Sequence, residues 1–340
     1  MRYSEVGFRG VNHQYVCFPI HVFRELVKEF PGNLKSDCVL TYGYVDHEEG
    51  VSFEVLACGK KDGTKYNFYH GNPDVHSVGR IADVEGVSFE ILDAYATSIP
   101  EIFAEKVERI LEFQENYDLM NMRIAQDFDP FRDPYKIDEV SVLLTKEGSD
   151  PETRKARLEM NGIGTVIATL LEEPEQDFGC HEGDAIGLFI QQSDPPVCAA
   201  DLDRELIISK GQLADGSVLK RAIADFNKSP SDETMKYVLA ILRDSDLWIP
   251  SKSKDEDRVE PDYLNEKNSS YLPVFTQPDE MGEYGEHFTA VRESVSQIIA
   301  LAQNEAHPVD AVVVNPYGET FIIEKRFFEA LEKKKSGTKQ

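Results

Sequence analysis

The sequence predicts an α/β protein of the α+β type, built as three consecutive small units in which helices flank mixed sheets. Three observations predict it. A chain of 340 residues exceeds what one ordinary hydrophobic core organises. Apolar spacing switches repeatedly between the two-residue period of strands and the three-to-four-residue period of helices. Proline- and aspartate-rich breaks interrupt the pattern at 127–134 and 193–196. The expected units are 1–126, an α+β domain with a duplicated strand unit; 127–213, small and β-rich; and 214–334, α/β, with a tail over 335–340.

In the first unit, Val22, Phe23, Leu26, Val27 and Phe30 form one helical stripe that Pro31-Gly32 would end. Phe103, Val107, Ile110, Leu111 and Gln114 mark a second helix after Pro100, with glutamates in its first turns. Between them, residues 39–56 align without gaps on 75–92, sharing Glu-Gly-Val-Ser-Phe-Glu. Both copies alternate apolar residues with Ser and Glu, the period of a half-buried strand, and each is introduced by a turn glycine, Gly50 or Gly86. The expectation is a duplicated β-unit within one sheet; two copies are too few for a solenoid.

Asp127-Phe-Asp-Pro-Phe-Arg-Asp-Pro134 reads as a linker or exposed turn, because each residue before proline is pushed to extended backbone. In the middle unit, Ile137–Thr145, Thr165–Leu171 and Ala185–Gln191 read as strands. Asp150-Pro151-Glu152-Thr153 reads as a helix start, and Glu172–Asp184 as an acidic turn.

The last unit is the clearest. Leu219, Ala222, Ile223 and Phe226 form one amphipathic helix; Ser229–Glu233 restarts another, with Met235, Val238, Leu239 and Leu242 on one face. Leu247–Pro250 is a strand, Ser251–Ser270 a polar loop, and Tyr271–Thr276 a strand whose Pro273 belongs at an edge or strand start. Thr276–Asp279 caps a short turn. Phe288, Val291, Val295, Ile298, Ile299 and Ala302 suggest a long helix. Val309–Val314 is a buried strand that Asn315-Pro316-Tyr317-Gly318 turns into Thr320–Glu324; a helix carrying Phe327, Phe328 and Leu331 follows, then a solvated tail, Lys333–Gln340.

This order, with Leu272-Pro-Val-Phe-Thr276 and Val314-Asn-Pro316 as its most specific pieces, resembles the N-terminal domain of the SseB (enhanced serine sensitivity) family over about a third of the chain. The resemblance implies a small α/β domain in a bacterial cytosolic protein and brings no catalytic residues with it. Leu170-Leu-Glu-Glu-Pro174 followed by Gly183-Asp184 more faintly resembles a small YegJ-like bacterial domain.

The composition narrows the function classes. The net charge is −26, with 20 acidic against 12 basic residues in 1–126, 19 against 8 in 127–213 and 23 against 16 in 214–340. Such a surface repels phosphate backbones, which argues against nucleic acid, and would attract a basic protein partner. No run approaches a membrane span, and Met1–Glu5 lacks a signal-peptide core, so a cytoplasmic protein is expected. Cys17, Cys38, Cys58, Cys180 and Cys198 form no C-x-x-C pair and read as free thiols.

Several chemical motifs fall short. Gly162-Ile-Gly164 lacks the third glycine of a dinucleotide fingerprint, and the preceding 154–160 is charged where a buried strand is required. Asp127, Asp129 and Asp133 fail as a calcium loop, with Arg132 where glycine is needed. In Asp177–Asp184, Cys180 and His181 are the candidate nucleophile and base, or metal ligands with Asp177 and Glu182; as sequence neighbours they point apart in extended chain. His70, Asp74 and His76 are the candidate metal ligands, needing a third imidazole such as His47, and their spacing is not a zinc spacing. Trp248 reads as a core anchor. No cofactor is implied.

The leading functional expectation is therefore a non-catalytic protein that acts through protein–protein interaction, as a regulator, adaptor or immunity-like protein toward a basic partner. The alternative is an enzyme or small-ligand sensor with a site between domains, drawing on Cys180, His181, His70 and His76.

Overall fold

The computed structural model describes residues 1–70, 74–93, 99–114, 116–254, 259–267 and 269–332. The expected tail, Lys333–Gln340, and the Gly71-Asn72-Pro73 step of the His70–His76 stretch lie outside the described residues. The fold is α+β, with mixed and antiparallel sheets flanked by helices. Two compact units are present: residues 1–160 with 168–185 and 197–200, and residues 161–167 with 186–196 and 201–340.

The first unit opens with α1 (Tyr3–Val11), β1 (Tyr15–Pro19), β2 (Cys38–Asp46) and β3 (Gly50–Asp62), followed by β4 (Lys65–Phe68), β5 (Val78–Arg80), α2 (Ile81–Val84) and β6 (Glu90–Leu92). The strands make one six-stranded sheet in the order β4-β3-β2-β1-β6, with β5 also on β3. The helices α3 (Ile99–Gln114) and α4 (Tyr117–Ile124) follow. Ile99, Phe103 and Val107 of α3 pack on Tyr15, Leu40, Tyr42 and Ala57, so this helix covers one sheet face as its spacing predicts.

Two expectations in this unit are corrected. Residues 22–30 form successive turns and no helix. Phe23, Val27 and Phe30 are buried as a helical stripe would bury them, and Val27 N–H does donate to Phe23 O. The carbonyls a helix would need are taken by side chains: Ser77 Oγ donates to Leu26 O, and Asn33 Nδ2 to Val27 O and Lys28 O. The repeated segments also diverge. Residues 39–56 form the β2–β3 hairpin, whereas 75–92 run through β5, α2 and β6, because Asp83 accepts the Arg80 N–H and closes a helical turn. Gly50 and Gly86 do share a left-handed turn role, at φ 78° and 76°.

Of the two readings of Asp127–Pro134, linker or exposed turn, the turn is found: Gln126–Phe131 is a 3₁₀ turn with Asp127 and Pro130 exposed, though Phe128 is buried.

A closed barrel follows, formed by β7 (Glu139–Thr145), β8 (Glu152–Asn161), β9 (Val166–Leu170), β10 (Ala185–Gln191) and β11 (Val197–Asp201), in the order β10-β11-β7-β8-β9. Here the expected helix start at 150–153 is overturned. Glu152–Asn161 is a strand paired with β7, Leu144 opposite Glu152 and Val140 opposite Ala156, with Ala156 and Leu158 buried at two-residue spacing. A strand thus does precede Gly162-Ile-Gly164, but β9 rather than a helix follows, so the dinucleotide reading still fails.

The rest of the second unit contains α5 (Ser217–Lys228), α6 (Asp232–Asp244), β12 (Asp246–Ser251), β13 (Leu264–Glu266), β14 (Ser269–Val274), α7 (Gly282–Gly285), β15 (Thr289–Ser294), α8 (Val295–Ala302), β16 (Ala311–Val314), β17 (Phe321–Glu324) and α9 (Phe328–Leu331). Ser231 caps α6 by accepting the Thr234 N–H, as its sequence predicts. The strands form a sheet in the order β13-β14-β16-β17, where β14 and β16 are parallel, and a β12–β15 pair. The predicted long helix from Phe288 is corrected: 289–294 is a strand with Val291 opposite Ile249, and the helix starts only where Ser294 Oγ accepts the Gln297 N–H. Part of the expected 251–270 loop is strand β13. It pairs with β14 as far as Tyr271, and Trp248 of β12 then bridges to Phe275, so Pro273 is buried between two pairings and is not at the expected sheet edge.

All five cysteines are free. Among the described residues, no helix is long and apolar enough to cross a membrane.

Candidate interaction site

The residues singled out for chemistry do not assemble. The 177–184 turn is knit by its own hydrogen bonds: Asp177 Oδ1 accepts Gly179 N–H, Asp184 Oδ2 accepts His181 N–H, and Glu173 Oε2 accepts Glu182 N–H. The exposed His181 ring meets Glu173 at 2.8 Å, and that bond holds its pKa up. Burial, followed by the carboxylates of Asp184 and Glu173, pushes the Cys180 thiol up, the reverse of what an activated nucleophile needs. His70 stacks on Phe103 (6.1 Å between centroids), Asp74 pairs with Arg109 at 3.0 Å, and His76 Nδ1 lies 3.3 Å from Glu54. Among the described residues, no three His, Cys, Asp or Glu side chains converge as a metal would require.

His47 is elsewhere. Its Nδ1 is 3.0 Å from Asp138 Oδ2 and its Nε2 3.0 Å from Glu159 Oε2. Asp138 is also bound by Arg123, at 2.6 Å to Nη2, and Glu159 accepts Thr169 Oγ at 2.8 Å. Burial disfavours an imidazolium here, but the bonds to Asp138 and Glu159 outweigh it and raise the His47 pKa to about 9. Both His47 ring nitrogens and the carboxylates of Asp138 and Glu159 are engaged with protein, so the cluster ties the β2–β3 hairpin to β7 and β8.

A second buried ion pair works the same way. Lys106 and Glu54, both 4% exposed, meet at 3.0 Å, and Lys106 Nζ donates to Val55 O and Val75 O. With all three ammonium hydrogens engaged, Lys106 pins α3 to β3 and is not a free amine.

The arrangement best suited to function lies at the carboxyl ends of the parallel strands β14 and β16, where open α/β sheets place their binding loops. Asn315 is fully buried in the left-handed conformation (φ 47°). Its Oδ1 accepts Thr276 N–H at 2.9 Å, its Nδ2 donates to Thr276 Oγ at 3.0 Å, and its own N–H donates to Val274 O. Gly216, at the start of α5, is held so close that a Cβ would lie 2.2 Å from Thr276 O. The strand ends are therefore rigid, and they carry aromatic rings. Tyr317 lies 6.2 Å from Phe275 and 5.3 Å from Tyr284, which in turn lies 4.9 Å from Phe288. Tyr317 is 56% exposed.

The polar edge of this cluster is Asp262, which accepts Tyr284 Oη at 2.7 Å and pairs with Lys252 at 2.6 Å. Burial opposes its charge, yet the bonds from Lys252 and Tyr284 hold its carboxyl below the usual range. Burial first, and then Asp262, push the Tyr284 hydroxyl up.

The two segments locked by Asn315 and Thr276 are the ones that carry the family resemblance. Residues 219–327 match the SseB protein N-terminal domain. The match does not reach the middle segment, and the YegJ-like resemblance is not confirmed. No curated protein and no solved structure matches the chain. The SseB-like domain thus contains all four rings of the aromatic cluster and both halves of its amide lock. The motifs at 272–276 and 314–316 were the available signal for this site; nothing in the sequence marked Tyr284 or Asp262.

Proposed function

We propose that the chain acts without catalysis, by binding another protein through the aromatic strand-end surface of its SseB-like domain, as an adaptor, regulator or immunity-like protein. The observation that carries this reading is the exposed Tyr317 ring, stacked on a buried Phe275 and fixed by the Asn315–Thr276 lock. A large ring that is already ordered loses little freedom on binding, which is why tyrosine is common where binding energy concentrates. The carboxylate of Asp262 and the net charge of −26 support a basic partner, and argue against nucleic acid. Five free thiols and the acidic surface support a cytosolic location.

The test is capture from the protein's own cell, followed by Tyr317→Ala. The partner should be lost by at least about tenfold in affinity, as for a typical hot spot, with the fold unchanged because the ring is more than half exposed. Recovery of no protein at any salt concentration, or undiminished capture by Tyr317→Ala, would count against the reading.

A second reading, a small-ligand sensor, rests on a cavity of about 660 Å³ in the first unit, lined by Phe68, His70, Leu92, Ile99, Ile102 and Phe103. A ligand that raises the melting temperature of wild-type but not of Phe103→Ala would favour it.

A further inference from the structure

Helix α4 has two apolar faces. Leu119 and Met122 are buried, and Arg123 beside them is anchored to Asp138. The opposite face shows Tyr117, Met120 and Ile124 to solvent, 77%, 45% and 69% exposed. Residues at i, i+3 and i+7 fall within an arc of about 60° on a helix, so the three form one continuous ridge. Scattered exposed apolar side chains need no explanation; an ordered row of three large ones marks a contact surface.

The ridge is also held in place. Asn116 Oδ1 accepts the N–H groups of Asp118 and Leu119 at its start, and Arg132 donates to Met122 O and Ala125 O near its end. Asp118 and Asp127 are both exposed, and neither forms an ion pair with a described residue. Residues 1–126 as a whole carry 20 acidic against 12 basic residues.

We propose that this ridge seats a basic amphipathic helix of a partner protein. A ridge at this spacing fits the groove between side-chain rows of another helix, and Met120 can repack to suit it. Asp118, next to Tyr117 in sequence, and Asp127, three residues past Ile124, are the carboxylates nearest the two ends of the ridge in the chain, and they select positive charge. A second copy of this chain would bring like charges together and is disfavoured. The proposal is independent of the strand-end surface, which belongs to the other unit.

The test uses the full chain and two dye-labelled synthetic peptides of about 18 residues, one of leucine and lysine at helical spacing and one of leucine and glutamate, read by fluorescence anisotropy. The lysine peptide should bind and the glutamate peptide should not. Tyr117→Ser/Met120→Ser/Ile124→Ser should weaken binding by at least about tenfold without lowering the melting temperature, since all three residues are exposed. Asp118→Asn/Asp127→Asn should weaken it a few-fold and flatten its salt dependence. Ile208→Ser, an exposed apolar residue (52%) in the other unit, should leave it unchanged.

Equal binding by the triple-serine variant would overturn the proposal, as would binding of the glutamate peptide. Sedimentation showing wild-type self-association that the triple variant abolishes would assign the ridge to a second copy instead.

Discussion

The two units hold their sheets to their helices by different means. In the first, α3 is fastened by the buried Lys106–Glu54 pair, and the β2–β3 hairpin is tied to β7 and β8 by Arg123, Asp138, His47 and Glu159. In the SseB-like domain the core is hydrocarbon, with Leu219, Ile223, Val238, Leu242, Ile298, Val312 and Ile323 in one continuous cluster. The prominent buried polar device there is an uncharged one, Asn315 with Thr276. Buried ions demand partners in fixed positions, and truncating one leaves the other stranded; a neutral amide costs less to bury and less to lose. The first unit should therefore be the more sensitive to single substitutions at polar positions and to pH.

The strongest challenge to this contrast is Lys106→Met. It leaves Glu54 buried without its cation and should cost about 3–5 kcal/mol in urea-monitored stability, while Lys106→Met/Glu54→Gln should recover much of the loss. A single variant as stable as wild-type would show that the pair contributes no more than a surface ion pair.

Asn315→Ala should cost less, about 2 kcal/mol, from two lost hydrogen bonds and a left-handed backbone that alanine resists. Asn315→Gly keeps the backbone and should recover only the conformational part. If Asn315→Ala proved the more damaging of the two, the ranking of the units would be reversed.

The smallest effect expected is the pH dependence from His47. Its folded pKa of about 9 exceeds the ordinary 6.5, so the stability it adds is complete below about pH 6.5 and fades as pH rises through 9. Partial exposure screens the cluster, so the loss should be about 1–2 kcal/mol, and His47→Gln should flatten the profile between pH 7 and 10. On the acid side, Asp138 and Glu159 are held below their ordinary values even though burial opposes it. Their contribution is present above the ordinary carboxylate range and fades as pH falls through the lowered values.

The same contrast explains what could be read in the sequence. In the SseB-like domain the determinants are local: the Ser231 cap, the 235–242 stripe, the 311–314 run and the two motifs that meet at Asn315. Where reading failed, a distant partner overrode a local signal. The 22–30 stripe has helical spacing, but Ser77 and Asn33 take its carbonyls. Pro151-Glu152-Thr153 looks like a helix start, but the ladder with β7 extends it. Val291 fits the α8 stripe, but pairing with Ile249 of β12 claims it for a strand, and Phe288 lies in the bend before that strand. The His47 cluster joins residues 91 and 112 positions apart, and no spacing rule reaches that far. The strand-end site was half legible: its lock lay in the recognised motifs, while Tyr284 and Asp262 reach it through tertiary contacts alone.

The position of β16 has a consequence for biosynthesis. This strand lies between β14 and β17 in the sheet but is made after β12, β13, β14 and β15. Until residues 311–314 emerge from the ribosome, Leu272 and Val274 have no parallel neighbour to cover their edge, and the nascent domain stays open to proteases and chaperones. Ribosome-bound chains arrested before this strand should be digested readily, and chains arrested well beyond Glu324 should resist.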